Sequence, residues 1–163
     1  MKPEYRTGIG FDVHAFSPNR KLIIGGIEVP FEKGLAGHSD ADVLLHSICD
    51  ALLGAISMGD IGQHFPDTDQ EYKNADSKEL LKQTYKLVLD KGYILGNIDA
   101  VVAMQVPKLA PYILNIRKTI SGILNCDEDQ VSVKATTTEK LGFVGREEGV
   151  SAFTSVLIIQ NKK

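Results

Sequence analysis

Asp12 and His14 stand two residues apart in the run Gly8-Ile-Gly-Phe-Asp-Val-His14. In an extended backbone, residues i and i+2 point to the same face, so a carboxylate and an imidazole lie side by side. Taken alone, the pair reads as a surface Asp–His contact. Joined by His46, it makes one carboxylate and two imidazoles, the donor set of a catalytic zinc site with three protein ligands and an open position. A closed structural site would need a fourth protein ligand, and Cys49 is the nearby candidate. Asp42 and Asp50, about one turn to either side of His46, stand where a carboxylate can orient a ligating ring.

Two other stretches carry chemistry. Ala135-Thr-Thr-Thr-Glu139-Lys140 sets three hydroxyls before a carboxylate at a strand end. Phosphate oxygens and a hard cation such as Mg²⁺ suit those groups, although by itself the string is a threonine-rich edge strand with one solvated glutamate. The loop from Met58 to Asp69 is rich in glycine, proline and aspartate. Asp60, Asp67 and Asp69 there serve equally for Asx-turns, for a hydrated metal or for sugar hydroxyls. Gly8-x-Gly10 is not followed by a third glycine opening a helix, so it does not make a dinucleotide fingerprint.

Elements must bring these groups together. A helix is expected from near Ser39 to about residue 57, apolar almost all round through Leu44, Leu45, Ile48, Ala51, Leu52, Ala55 and Ile56. Ser39, Asp42, His46 and Asp50 then share one narrow polar stripe, either an internal ladder of ion pairs or part of a site. Ser39 is placed to cap that helix, with His38 just outside. Residues 4–12 read as a first strand and residues 21–30 as a hairpin turning at Gly25-Gly26. A helix capped by Asp76 runs to residue 90, and a buried strand spans 94–106 up to Pro107. A helix opens at Pro111, and strands follow at 131–137 and 150–160. The order gives an α+β fold: a single mixed β-sheet with helices packed on one face, residues 1–163 forming one domain. The helix near 40–57 is apolar on more sides than one sheet needs, which leaves surface for a partner subunit and predicts a homo-oligomer.

The bulk properties narrow the function. The chain has 163 residues, 43% hydrophobic and 24% charged, with a net charge of −3. That balance offers no basic footprint for nucleic acid. Cys49 and Cys126 form no disulfide framework, no apolar run is long enough to span a bilayer, and the first residues lack a signal-peptide core. The expectation is a cytoplasmic protein with no membrane partner.

Four motifs together resemble one family. Asp12-Val-His14, Gly37-His-Ser-Asp-Ala-Asp-Val43, Asp60-Ile-Gly-x-x-Phe-Pro-Asp-Thr-Asp69 and Ala135-Thr-Thr-Thr-Glu-Lys-Leu-Gly-Phe143 are similar to the 2-C-methyl-D-erythritol 2,4-cyclodiphosphate synthase family, in its order, from about residue 6 to 158. The resemblance implies conversion of 4-diphosphocytidyl-2-C-methyl-D-erythritol 2-phosphate to the cyclic diphosphate with release of CMP, in non-mevalonate isoprenoid precursor synthesis. It implies zinc on Asp12, His14 and His46, and a second divalent ion, Mg²⁺ or Mn²⁺, on Glu139. His38 and Thr137 would stabilise the transition state, with Ser39 beside the former. The methylerythritol part would lie against Asp60, Ile61, Gly62, Phe65, Pro66, Asp67, Thr68 and Asp69. Met104, Gln105, Val106, Pro107, Lys108, Leu109 and Ala110, with Thr136 to Thr138, would hold the cytidine end across a subunit boundary of a homotrimer. Phe143 and Arg146 would complete the substrate surface, and Arg146 and Glu148 would line a central cavity able to take an isoprenoid diphosphate. Where the family often has a glycine after that arginine, this chain has Glu147. Attack by an internal phosphate needs alignment and charge neutralisation rather than an enzymic nucleophile. The competing readings of the same residues are a metal-dependent phosphohydrolase and a non-enzymatic trimer that binds phosphate ligands.

Overall fold

A computed structural model describes residues 3–66 and 75–162. Its centre is a pair of long antiparallel strands, β1 (Tyr5–Pro18) and β7 (Gly149–Gln160). The short strands β2 (Leu22–Ile24) and β3 (Ile27–Val29) form the expected hairpin, turning at Gly25 and Gly26, both at positive φ. β4 (Lys33–Leu35) pairs with the far end of β1. Helix α1 (Val43–Ala55) follows, then the single-turn α2 (Ile61–His64) and α3 (Ser77–Asp90). β5 (Tyr93–Ala103), α4 (Ile113–Leu124), β6 (Val131–Thr136), the single turn α5 (Gly142–Gly145) and β7 complete the chain. The sheet order is β4-β1-β7-β5-β6, antiparallel except for the β5–β6 pair. That parallel pair is joined by the α4 crossover. The α+β reading holds, with the β2–β3 hairpin standing as a second small sheet beside the five-stranded one.

β1 shows how the sheet divides its two faces. Gly8 and Gly10 are buried and turn toward α1, whereas Ile9, Phe11 and Val13 point away and are 82%, 51% and 44% exposed. The glycines let a helix lie against the strand backbone itself. A Cβ on Gly10 would stand 1.9 Å from the Ser47 carbonyl oxygen, and one on Gly8 the same 1.9 Å from that of Ala51. The residues that failed as a nucleotide fingerprint are therefore the seat of α1. Close seating brings His46 within reach of Asp12 and His14, the next inward-facing residues of the same strand.

Three expectations need correction. α1 begins at Val43, not near Ser39, because Ala41 adopts a left-handed φ of 57° and breaks the run; the cap is Asp42, whose carboxylate accepts the Leu45 N–H at 3.0 Å. The first strand does not stop at residue 12: β1 runs on past His14 to Pro18, where it pairs with β4. Finally, α1 is buried by its own chain: every residue except His46, Asp50 and Gly54 is buried, against β1, β7 and α3. Its apolar excess is therefore not a partner surface. Among the described residues, apolar surface is left uncovered on the outer sheet face, where Phe11 and Phe153 pack ring to ring at 4.6 Å while both are about half exposed. No helix among the described residues is long and apolar enough to cross a membrane.

Candidate metal centre and substrate cleft

Asp12, His14 and His46 converge. His14 Nε2 lies 2.9 Å from Asp12 Oδ2, His46 Nδ1 lies 3.2 Å from the same oxygen, and the two ring nitrogens are 3.2 Å apart. A tetrahedral zinc ion with bonds of about 2.0–2.1 Å holds its donor atoms about 3.3 Å apart, so the triangle matches in size. The protons are also in the right places. His14 Nδ1 lies 2.7 Å from the Ala36 carbonyl, which can only accept, so Nδ1 carries the hydrogen and Nε2 presents a lone pair. His46 turns Nε2 toward the hydroxyls of Ser77 (3.0 Å) and Ser39 (3.2 Å), leaving Nδ1 for the centre. Asp12 Oδ2 is buried and accepts no hydrogen bond. An orphaned carboxylate oxygen between two imidazole lone pairs is costly unless a cation sits among them. The residues fit a divalent metal, and among the described residues they are the one group of three or more His, Cys, Asp or Glu that does so.

The electrostatics agree. Burial pushes the Asp12 carboxyl up, but the two imidazoles beside it outweigh burial and bring it down to about 2. Burial works against the charged form of His14, yet Asp12 holds its proton more strongly than in free histidine. Cys49 is no fourth ligand: it is fully buried, with its thiol pushed up to about 12 by that burial. Asp42 and Asp50 do not orient His46 either. Asp42 accepts the N–H groups of Gly25, Gly26 and Leu45, fastening the hairpin turn to the start of α1. Asp50 accepts the Ile61 N–H and holds the start of α2. Sequence spacing put both on the right stripe, but backbone amides claim both carboxylates. Ser77, which does meet the ring, comes from α3 and was missed; it is a buried hydroxyl at a helix start, with no signal beyond the cap Asp76 beside it.

The triad opens into a cleft of about 210 Å³ lined by His38, Ser39, Ile61, Gly62, Phe65 and Leu80 as well as the three donors. His38 is exposed at its edge, while Ser39 is buried and accepts the Ala41 N–H at 3.1 Å. Asp60 caps α2 by accepting the Gln63 N–H. Pro66 ends the described part of this loop; Asp67, Thr68 and Asp69 lie outside the described residues.

The second cluster is built separately. Met104, Gln105, Lys108, Leu109, Ala110, Thr136 and Thr137 line a hollow of about 160 Å³, and Val106 and Pro107 are half-buried in the same segment. Glu139 follows with a left-handed φ of 52°, as does Lys140 at 65°, and the Thr137 hydroxyl donates to the Glu139 carboxylate at 2.9 Å. Non-glycine residues held at positive φ are uncommon, and they gather at functional sites. Thr138 donates to the Leu141 carbonyl. Beyond it Phe143 is exposed, and Arg146 forms a two-pronged pair with Glu148 at 2.9 and 3.2 Å. Glu147, exposed, holds a φ of 60°, the backbone shape for which glycine is the usual residue.

Strand order keeps the two clusters apart. Asp12 pairs across to Ala152, Ala152 to Val102 and Val102 to Ala135, so both clusters sit at one end of the sheet but on strands three steps apart. At roughly 4.8 Å per step that is about 14 Å. One chain does not bring Glu139 and Thr137 to the metal triad.

The fold and this site define a class: an α+β protein with a two-imidazole, one-carboxylate metal cradle beside a small cleft. Comparison with known proteins narrows it. The profile of the YgbB family matches residues 5–159. A curated relative in Lysinibacillus sphaericus, 2-C-methyl-D-erythritol 2,4-cyclodiphosphate synthase, is 59% identical over 96% of this chain and 99% of its own. Among solved structures, the bifunctional IspDF of Campylobacter jejuni superposes with a TM-score of 0.93 at 50% identity, over 96% of this chain and 42% of that longer one. IspF of Plasmodium falciparum, solved as a CDP complex, gives 0.87 at 36% identity over 99% and 100%. The chain belongs to the YgbB family, that of 2-C-methyl-D-erythritol 2,4-cyclodiphosphate synthase.

Proposed function

We propose that this chain converts 4-diphosphocytidyl-2-C-methyl-D-erythritol 2-phosphate to 2-C-methyl-D-erythritol 2,4-cyclodiphosphate and CMP in the cytoplasm, as a homotrimer whose sites lie between neighbours. The observation that carries this reading is the size and protonation of the Asp12–His14–His46 triangle, in a chain of this family. These three side chains would hold zinc, and Glu139, exposed at a strained turn, would hold Mg²⁺ or Mn²⁺ together with substrate phosphates. When bound, such ions supply Lewis-acid neutralisation of the diphosphate charge.

The chain's own residues do the rest. His38 and Ser39, at the cleft edge, donate to the phosphate being attacked, and the Thr137 hydroxyl, turned from Glu139, donates from the neighbouring copy. Ile61, Gly62, Phe65 and Pro66, with Asp60 at their start and Asp67 to Asp69 after them, hold the methylerythritol so that its 2-phosphate faces the β-phosphorus. Apolar Ile61, Phe65 and Leu80 along the wall exclude water, which would otherwise hydrolyse the diphosphate. Residues Met104 to Ala110 and Thr136 to Thr138 take the cytidine, with Lys108 at the rim, and Phe143 and Arg146 close the surface. The separation of the two clusters by two strands supports sharing between copies, as does the exposed apolar sheet face. Arg146 is already matched by Glu148, so an isoprenoid diphosphate in a central cavity would have to displace that pair.

The test is direct. Zinc- and Mg²⁺-loaded protein given the diphosphocytidyl substrate releases CMP, and phosphorus NMR shows the two coupled signals of a cyclic diphosphate. A product without those coupled signals means hydrolysis and overturns the proposal.

A further inference from the structure

We infer that Ser77, backed by Asp40, is a positioning device for the metal ligand His46. The Asp40 carboxylate takes both donors of Ser77: Oδ1 accepts its hydroxyl and Oδ2 its backbone N–H at 3.1 Å. In return the Asp40 N–H donates to the Ala75 carbonyl at 3.1 Å, so the segment before α1 and the start of α3 are clipped together in both directions. A serine hydroxyl has one hydrogen. With that hydrogen committed to Asp40, Ser77 can offer His46 Nε2 only a lone pair, at 3.0 Å. The ring must then carry its hydrogen on Nε2 and present an unprotonated Nδ1 to Asp12 and His14. Ser39 also lies 3.2 Å from Nε2, but among the described residues no carboxylate fixes the direction of its hydroxyl. The arrangement is the carboxylate–histidine–metal pattern with a hydroxyl inserted between carboxylate and ring. Ser77 is fully buried, so solvent cannot substitute for it.

The inference rests on the triad being a metal site, and the experiment separates the two. Zinc affinity is measured by chelator competition for the wild type, Ser77→Ala, Ser77→Thr and Ser39→Ala, with far-UV circular dichroism and metal-free melting as fold controls. The His46 tautomer is read from long-range proton–nitrogen NMR of the metal-free protein. Loss of an outer partner to a ligating histidine costs roughly 10–100-fold in affinity. Ser77→Ala is expected to lose that much and to show a mixed His46 tautomer. Ser77→Thr recovers most of the affinity, and Ser39→Ala loses less than Ser77→Ala. If Ser77→Ala does not fold, Asp40→Asn leaves the hydroxyl but removes its committed acceptor, and the same mixed tautomer and a weaker zinc affinity are expected. Wild-type affinity and an unmixed tautomer in whichever variant folds overturn the inference. Failure of the wild type to bind zinc overturns the metal reading beneath it.

Discussion

Gly10→Ala tests the link between fold and chemistry most sharply. Its Cβ would stand 1.9 Å from the Ser47 carbonyl oxygen and 2.9 Å from the Ala51 nitrogen, both backbone atoms of α1 that no rotamer change can move. Ordinary contact begins near 3.4 Å, so α1 must retreat from β1 by about 1.5 Å, a misfit of the kind that costs about 1–3 kcal/mol. His46 precedes Ser47 and travels with it. Its Nδ1, 3.2 Å from both Asp12 Oδ2 and His14 Nε2, then lies well over 4 Å away from each. Two donors with bonds of about 2.1 Å cannot share one ion beyond about 4.2 Å, so tight zinc binding goes as well. Urea denaturation of the metal-free protein gives the stability loss, and zinc per chain after dialysis gives the site. Gly8→Ala makes the same clash one turn further along α1 and is expected to cost similar stability with a smaller loss of zinc. A Gly10→Ala protein that keeps full zinc and wild-type stability would refute the idea that these glycines seat the helix.

Further outcomes follow from single residues. Asp42→Asn keeps one oxygen for Gly25 and Leu45 but turns an NH₂ toward the Gly26 N–H, so urea midpoints should report a loss of about 1–3 kcal/mol; no change means that the hairpin does not depend on this carboxylate. Glu147→Gly removes a left-handed strain at an exposed turn and is expected to stabilise by about 0.5–1 kcal/mol, read from the same titration. Burial lowers the affinity of His14 for its proton, but Asp12 more than offsets this and the folded value is raised. In the metal-free chain the stabilisation from charged His14 is thus full below the ordinary histidine value and is lost as pH rises through the raised one. Zinc needs the neutral ring, so its affinity has the opposite dependence: it falls as pH drops through the raised His14 value toward the ordinary histidine one, by up to about tenfold per unit for each proton displaced. A flat affinity over that range contradicts the assignment of His14 as a ligand.

The legible parts of this protein were those encoded by local pattern. The i,i+2 spacing of Asp12 and His14, the apolar run around His46 and the Asp76 cap each read correctly because neighbours in sequence decide them. The start of α1 did not, since Ala41 is held left-handed and Asp42 is claimed by the amides of a distant hairpin, ties that periodicity does not register. For the same reason Asp42 and Asp50 looked like partners of His46 while Ser77, which lies nearest the outer ring nitrogen, is on another helix. Gly8 and Gly10 were visible, and the dinucleotide fingerprint was set aside, but they were given no role in its place: two inward glycines on one strand mark a close backbone approach. Strand order is the largest omission. Nothing in the order of residues says that β7, the last strand, slides between β1 and β5 and drives the two chemical clusters apart.

That intervening strand has a genetic consequence. If each working site draws its halves from different copies, a chain crippled at His46 and another crippled at Glu139 are each inert alone yet can rescue one another once mixed and reassembled. Random mixing in equal amounts restores about one site in four.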